Sequence, residues 1–168
     1  MGEVVTGTHI QMLGFTMEGS KYQTVEECIV EAGIDAVWHV ITDFPGYSKW
    51  SPGIRQIQID GALKPGTQGI IRFPLRGEKL TTMPIELTRV ENGTYLEWQG
   101  YPRGLRGLVR GNHYHRLEKL GPTRTRLLHG EYFTGIGARV AWSIVGQAYV
   151  AGFIKSTAAI KAEAERGS

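Results

Sequence analysis

Four side chains in the C-terminal half carry the residue types of proton transfer or metal binding: His113, His115, His129 and Glu131. Each pair is spaced by two. On an extended chain, residues two apart share a face, so His113 and His115 point the same way as Leu117. By the same rule His129 and Glu131 point with Leu127 and Phe133. The apolar members mark the buried side of both segments. If the two segments pair about Gly121-Pro122, His129 comes opposite His113 or His115, and three imidazoles and a carboxylate face one interior.

Three chemistries compete for that group. The side chains can bond one another and the backbone in a semi-polar core, as buried polar groups usually do. A histidine beside Glu131 can move a proton on a bound carbonyl or hydroxyl compound. Histidine and carboxylate are also metal donors, although the strand spacing matches no established metal motif, and no metal ligand set is assigned. No cofactor is expected, since there is no phosphate-binding loop, dinucleotide fingerprint or nucleophile elbow.

The positioning elements follow from periodicity. Residues 22–33 read as a strand, with Asp35 as N-cap of a helix that stops before Pro45. The stretch 44–53 carries a second short helix. From Gly53 the pattern alternates in twos through segments near 57–59, 69–75, 80–90, 95–100, 108–120 and 125–134. From 138 to 165 it turns helical, with Trp142, Val145, Tyr149, Phe153 and Ile160 as the apolar stripe; Ser156 and Thr157 stand where another apolar turn belongs. This order predicts an α+β fold whose antiparallel sheet is covered on one face by a single long helix. Such a sheet leaves room for a pocket. Residues 21–166 are expected to form one domain, and 1–20 a mobile leader or added edge segment.

Composition agrees with a globular chain: 168 residues, 41% hydrophobic, 21% charged, net charge +3. The mild charge does not call for nucleic acid. One cysteine, Cys28, excludes an internal disulfide and a cysteine-based zinc site and points to a reducing, cytoplasmic setting. No stretch reaches the length of a transmembrane helix. The sequence does not indicate an oligomeric state.

The order of short motifs resembles the SRPBCC superfamily of START-like lipid-transfer domains, ligand binders and polyketide cyclases. The resemblance rests on 36–44 (AVWHVITDF), 47–52 (YSKWSP), 96–98 (LEW), 113–118 (HYHRLE) and 125–135 (TRLLHGEYFTG). It implies a helix-grip fold, with a curved sheet of about six or seven strands around the terminal helix and two short helices after the first strand. It also implies a hydrophobic cavity. The expected partner is an apolar small molecule, polyketide-, terpenoid- or lipid-like, held by a carrier or binding protein. The alternative is a cofactor-independent cyclase, dehydratase or isomerase of secondary metabolism working through His113, His115, His129 and Glu131. Expected ligand contacts are Trp98, Trp142, Tyr149 and Phe153, with Arg72 and Arg110 as anion-holding groups should they face inward. Trp38 and Trp50 read as aromatic anchors, and the 103–111 glycine–arginine loop as a solvated loop or a gate for acidic ligands.

Overall fold

The computed structural model describes residues 22–76 and 79–167; the expected leader, 1–20, lies outside them. Seven strands form one antiparallel sheet: β1 (Gln23–Val30), β2 (Gln56–Ile59), β3 (Gln68–Arg76), β4 (Lys79–Glu91), β5 (Tyr95–Gly100), β6 (Arg110–Gly121) and β7 (Arg124–Thr134), in the order β1-β7-β6-β5-β4-β3-β2. Between β1 and β2 the chain crosses to the opposite edge through α1 (Ile34–Thr42), a 3-10 turn at Phe44–Gly46 and α2 (Tyr47–Trp50). The curved sheet wraps the terminal helix α3 (Ala138–Arg166), which is the helix-grip fold. No helix of the described residues is long and apolar enough to cross a membrane.

Asp35 does not cap α1. The cap is Gly33, whose carbonyl accepts from the Ala36 and Val37 amides, and Asp35 falls in the first turn, where its charge suits the helix dipole. The helix starts one residue before Asp35, and position 33 is crowded: a Cβ there would stand 2.9 Å from the Pro122 carbonyl in the β6–β7 turn. At the other end, the Asp43 carboxylate accepts from the Gly46 amide and Tyr47 donates to the Ile41 carbonyl at 2.9 Å. These bonds close the corner where Pro45 forbids more helix.

Strand alternation turns Ile71, Ile85, Leu87, Leu96, Leu117 and Leu127 inward, and all six are buried. They meet Val37 and Ile41 of α1 and Ile160 and Ala164 of α3 in one core. The core therefore sits under the C-terminal half of α3. Along the N-terminal half the predicted stripe is only half satisfied. Trp142, Val145 and Tyr149 are partly buried, while Val140 and Ile144 on the other side of the helix are exposed.

The outer face holds a second buried group, which the sequence reading did not anticipate. Glu97 accepts from Thr88 (2.7 Å), Tyr95 (3.1 Å) and Tyr132 (3.2 Å). Tyr114 stacks parallel to Tyr95 with ring centroids 6.2 Å apart, and its hydroxyl lies over Gly130. That hydroxyl is buried without a hydrogen-bond partner among the described residues. An unpaired buried hydroxyl costs about 1–3 kcal/mol. Tyr114→Phe removes the cost while keeping the stack, so it is expected to leave stability unchanged or raise it by about 1 kcal/mol, read from the midpoint of urea unfolding.

Candidate functional site

The β6–β7 pairing decides the geometry. Its register sets His113 opposite Glu131, His115 opposite His129 and Leu117 opposite Leu127. All four polar side chains therefore lie on the inner face, under Phe153 of α3. Glu131, His115 and His129 are buried, and the His113 side chain is 13% exposed.

Their contacts form a chain. The Glu131 Oε2 lies 3.4 Å from His113 Nδ1, His113 Nε2 lies 3.0 Å from His129 Nε2, and His129 Nδ1 lies 2.8 Å from the Thr157 hydroxyl. Aromatic rings wall it in. Trp98 stacks on His113 at 4.3 Å with only 11° between planes, and Phe153 covers His113 and His129 at 5.1 and 4.5 Å. The His115 ring lies parallel to that of His129 at 4.6 Å. Neither of its nitrogens has a hydrogen-bond partner among the described residues.

Burial among rings disfavours every charged form. Desolvation pushes the Glu131 carboxyl up to about 8 and pulls the His113 imidazole down to about 3. His115 and His129 are also held well below the usual imidazole range, by burial first and then by neighbouring imidazoles. Tyr149 is pushed up, by the Glu131 carboxylate first and burial second. At neutral pH the group is thus three neutral imidazoles and a protonated carboxyl. With those states every link has one proton: the carboxyl donates to His113 Nδ1, His113 Nε2–H to His129 Nε2, and His129 Nδ1–H to Thr157. Ionising Glu131 reverses all three donors. The chain can therefore pass a proton along its length without placing a charge on an imidazole at either end state.

Two members of this site were missed by the sequence reading. Thr157 interrupts the apolar stripe of α3 because it partners His129, and the break in the stripe was its only signal. Gly111 lies on the inner face beside Glu131. A Cβ there would come within 2.3 Å of Glu131 Oε1, so only glycine leaves the carboxyl its place.

The expected ligand contacts divide. Trp98 and Phe153 pack on the histidines, while Trp142 and Tyr149 pack on Phe133 at 5.9 and 5.4 Å. Arg72 and Arg110 do not join them. Arg72 is exposed and donates to Gln56 at 3.0 Å, because its neighbours Ile71 and Phe73 take the inward positions. Arg110 shares the outer face with Asn112 and Tyr114, opposite in parity to His113. In the glycine–arginine loop, Arg106 pairs with Glu86 and lies over the Tyr101 ring at 5.0 Å.

A cleft of about 680 Å³ opens between the α1–α2 corner and β2. Phe44, Ile57, Ile59 and Leu63 give it apolar walls, with Thr42 and Arg55 among its polar lining. None of the six expected ligand contacts lines it. It reaches them indirectly: Phe44 meets the Trp98 ring edge-on at 6.4 Å, and Trp98 covers His113.

Solved structures share this architecture. The Zhui aromatase/cyclase from Streptomyces sp. R1128 superposes with a TM-score of 0.69 at 18% identity, over 86% of this chain and 93% of that one. A START superfamily protein from Mycobacterium smegmatis gives 0.65 at 12%, over 87% and 99%. Norcoclaurine synthase from Thalictrum flavum, in complex with dopamine and hydroxybenzaldehyde, gives 0.63 at 19%, over 87% of each. At such identities the likeness is one of fold. No curated protein matches the chain by sequence. The family described as polyketide cyclase/dehydrase and lipid transport matches residues 22–165, nearly the whole of the fold just described, and the chain belongs to that family.

Proposed function

We propose that residues 21–166 act as one unit that binds an apolar small molecule, polyketide-, terpenoid- or lipid-like, as a cytoplasmic carrier or binding protein. The observation that carries this reading is the cleft behind the α1–α2 corner. Its volume of about 680 Å³ lies within the roughly 300–1,000 Å³ of small-molecule sites. Its apolar walls suit a hydrophobic body, and Thr42 and Arg55 suit a polar end. The family description, which names polyketide cyclase/dehydrase and lipid transport, supports the same ligand class.

A second reading is favoured by the Glu131–His113–His129–Thr157 chain. It makes the protein a cofactor-independent cyclase, dehydratase or isomerase that gives a proton to, or takes one from, a guest lying against Trp98. The relatives named above as an aromatase/cyclase and a synthase support it by fold. Arg72 and Arg110 take no part in either reading.

Two measurements test these readings. Leu63→Trp fills the cleft at its partly exposed rim. Ligand carried through purification, measured by mass spectrometry of an organic extract, is expected to fall about tenfold, which corresponds to ~1.4 kcal/mol; undiminished loading would place the guest elsewhere. Glu131→Gln keeps shape and hydrogen bonding but removes the transferable proton. If the protein turns its guest over, kcat is expected to fall by about 10²–10⁴ with loading unchanged. A guest recovered unaltered from wild type and variant alike leaves the carrier reading.

A further inference from the structure

We propose that His113, His115 and His129 bind one divalent transition-metal ion of the zinc type through ring nitrogens, with the fourth coordination position open toward the interior. This inference concerns the chain's own residues and does not depend on which guest the cleft takes.

Three observations converge. One nitrogen from each of the three rings lies within 4.8 Å of the others, inside a wall of aromatic rings. His113 and His129 already point Nε2 at each other at 3.0 Å, with their rings crossed at 61°. Two imidazole nitrogens bound at about 2.0–2.1 Å to a tetrahedral ion stand roughly 3.3 Å apart. For an ion to replace the shared proton, the two nitrogens must part by a few tenths of an ångström and the rings tilt so that both lone pairs converge on it.

The second observation is what stands behind those two rings. Metal-binding histidines almost always give their other nitrogen to a carboxylate, carbonyl or hydroxyl that fixes the ring. Here His113 Nδ1 faces Glu131 at 3.4 Å and His129 Nδ1 faces Thr157 at 2.8 Å. Both Nε2 atoms are thereby turned toward each other, on the inner side. Glu131 serves as a positioning group in this arrangement and remains in place when the His113–His129 bond gives way to the ion.

The third observation is independent of both. His115 is wholly buried, and neither of its nitrogens meets a partner among the described residues. A leucine would fill that position on the inner face without the penalty. An ion gives the imidazole the partner that the protein does not. The ring lies parallel to His129 at present and must turn about χ2 to aim at the same point. Neutral imidazole donors favour zinc, copper, nickel or iron over magnesium or calcium, which prefer oxygen. Three histidines with an open fourth place is a donor set of the kind that zinc uses to hold water or a substrate oxygen.

The test uses the full chain, stripped with a chelator and titrated with Co²⁺ followed by visible absorption, and with Zn²⁺ followed by thermal melting. One equivalent of cobalt is expected to raise the ligand-field bands of a four-coordinate site, and zinc to raise the melting temperature. His115→Leu is expected to abolish both responses while the metal-free protein melts no lower than wild type. Thr157→Val, which releases His129 from behind, is expected to weaken cobalt binding about 10–100-fold. Absence of bands in the wild type, or bands of equal strength in His115→Leu, overturns the proposal. Should His115→Leu fail to fold, Thr157→Val decides: unchanged cobalt affinity overturns the site. Loss of the extracted guest is a separate readout, so failure of one reading is not mistaken for failure of the other.

Discussion

The register between β6 and β7 is the constraint on which the site depends. Side chains on a strand have a period of two, so a slip of one residue would turn the polar pair of one strand outward, either His113 and His115, with Asn112 and Tyr114 taking their place, or His129 and Glu131, with Tyr132 taking theirs, and the four would no longer share a face. The apolar pair Leu117 and Leu127 holds the register at one end, and the turn after Gly121 fixes it there. Four polar groups on the inner face are then an obligatory cost of that pairing. The fold tolerates them by keeping them neutral: burial lowers the imidazoles and raises the carboxyl, and the resulting protonation states satisfy every link of the chain except His115.

The two buried carboxyl groups of the sheet show why the inner one is the chemical one. Glu97 on the outer face takes hydrogen bonds from three hydroxyls, those of Thr88, Tyr95 and Tyr132, within 3.2 Å. Its acceptor capacity is largely used, and it ties β4, β5 and β7 together. Glu131 on the inner face has one long contact, to a histidine, and a glycine beside it where any other residue would displace it. A well-supplied carboxylate holds structure. An undersupplied one, in a dehydrated and aromatic setting, retains capacity for a proton or for a partner group.

Much of this was legible in the chain. Alternation placed the histidines, Glu131 and their apolar neighbours on one inward face, and the order of patterns gave an antiparallel sheet covered by one long helix, which the family resemblance made a helix-grip fold. The hairpin about Gly121-Pro122 fell where the turn residues put it. What periodicity does not encode is which residues meet across elements. Thr157 looked like a defect in the stripe of α3 until His129 was seen beneath it. The α1 cap lies at Gly33 and not at Asp35, and the Pro122 carbonyl that crowds position 33 is close in space and remote in sequence. Arg72 and Arg110 were ligand contacts only on condition that they face inward, and the alternation of their own strands, with Ile71 and His113 inward, puts both outside. The cleft was missed because it is made by the α1–α2 corner meeting β2, two segments whose separate patterns say nothing about the space between them.

That separation between cleft and histidines gives Trp98 its significance. Its face covers His113 at 4.3 Å and its ring meets Phe44, which walls the cleft, at 6.4 Å. One indole therefore stands between the opening and the polar group. Fold alone does not choose between carrying and converting a guest, but this partition ties the choice to a physical event. While Trp98 stays stacked, it covers the His113 ring, and a guest in the cleft meets Phe44, Ile57, Ile59 and Leu63 together with the polar groups of Thr42, Arg55, Gln56 and Gln58. If the indole turns, the guest gains the Glu131–His113 pair, and that pair gains a partner it lacks within the protein. Displacing the indole would forfeit a stack worth about 0.5–1.5 kcal/mol beyond the area it buries, and with it the burial of a ring that is only 3% exposed.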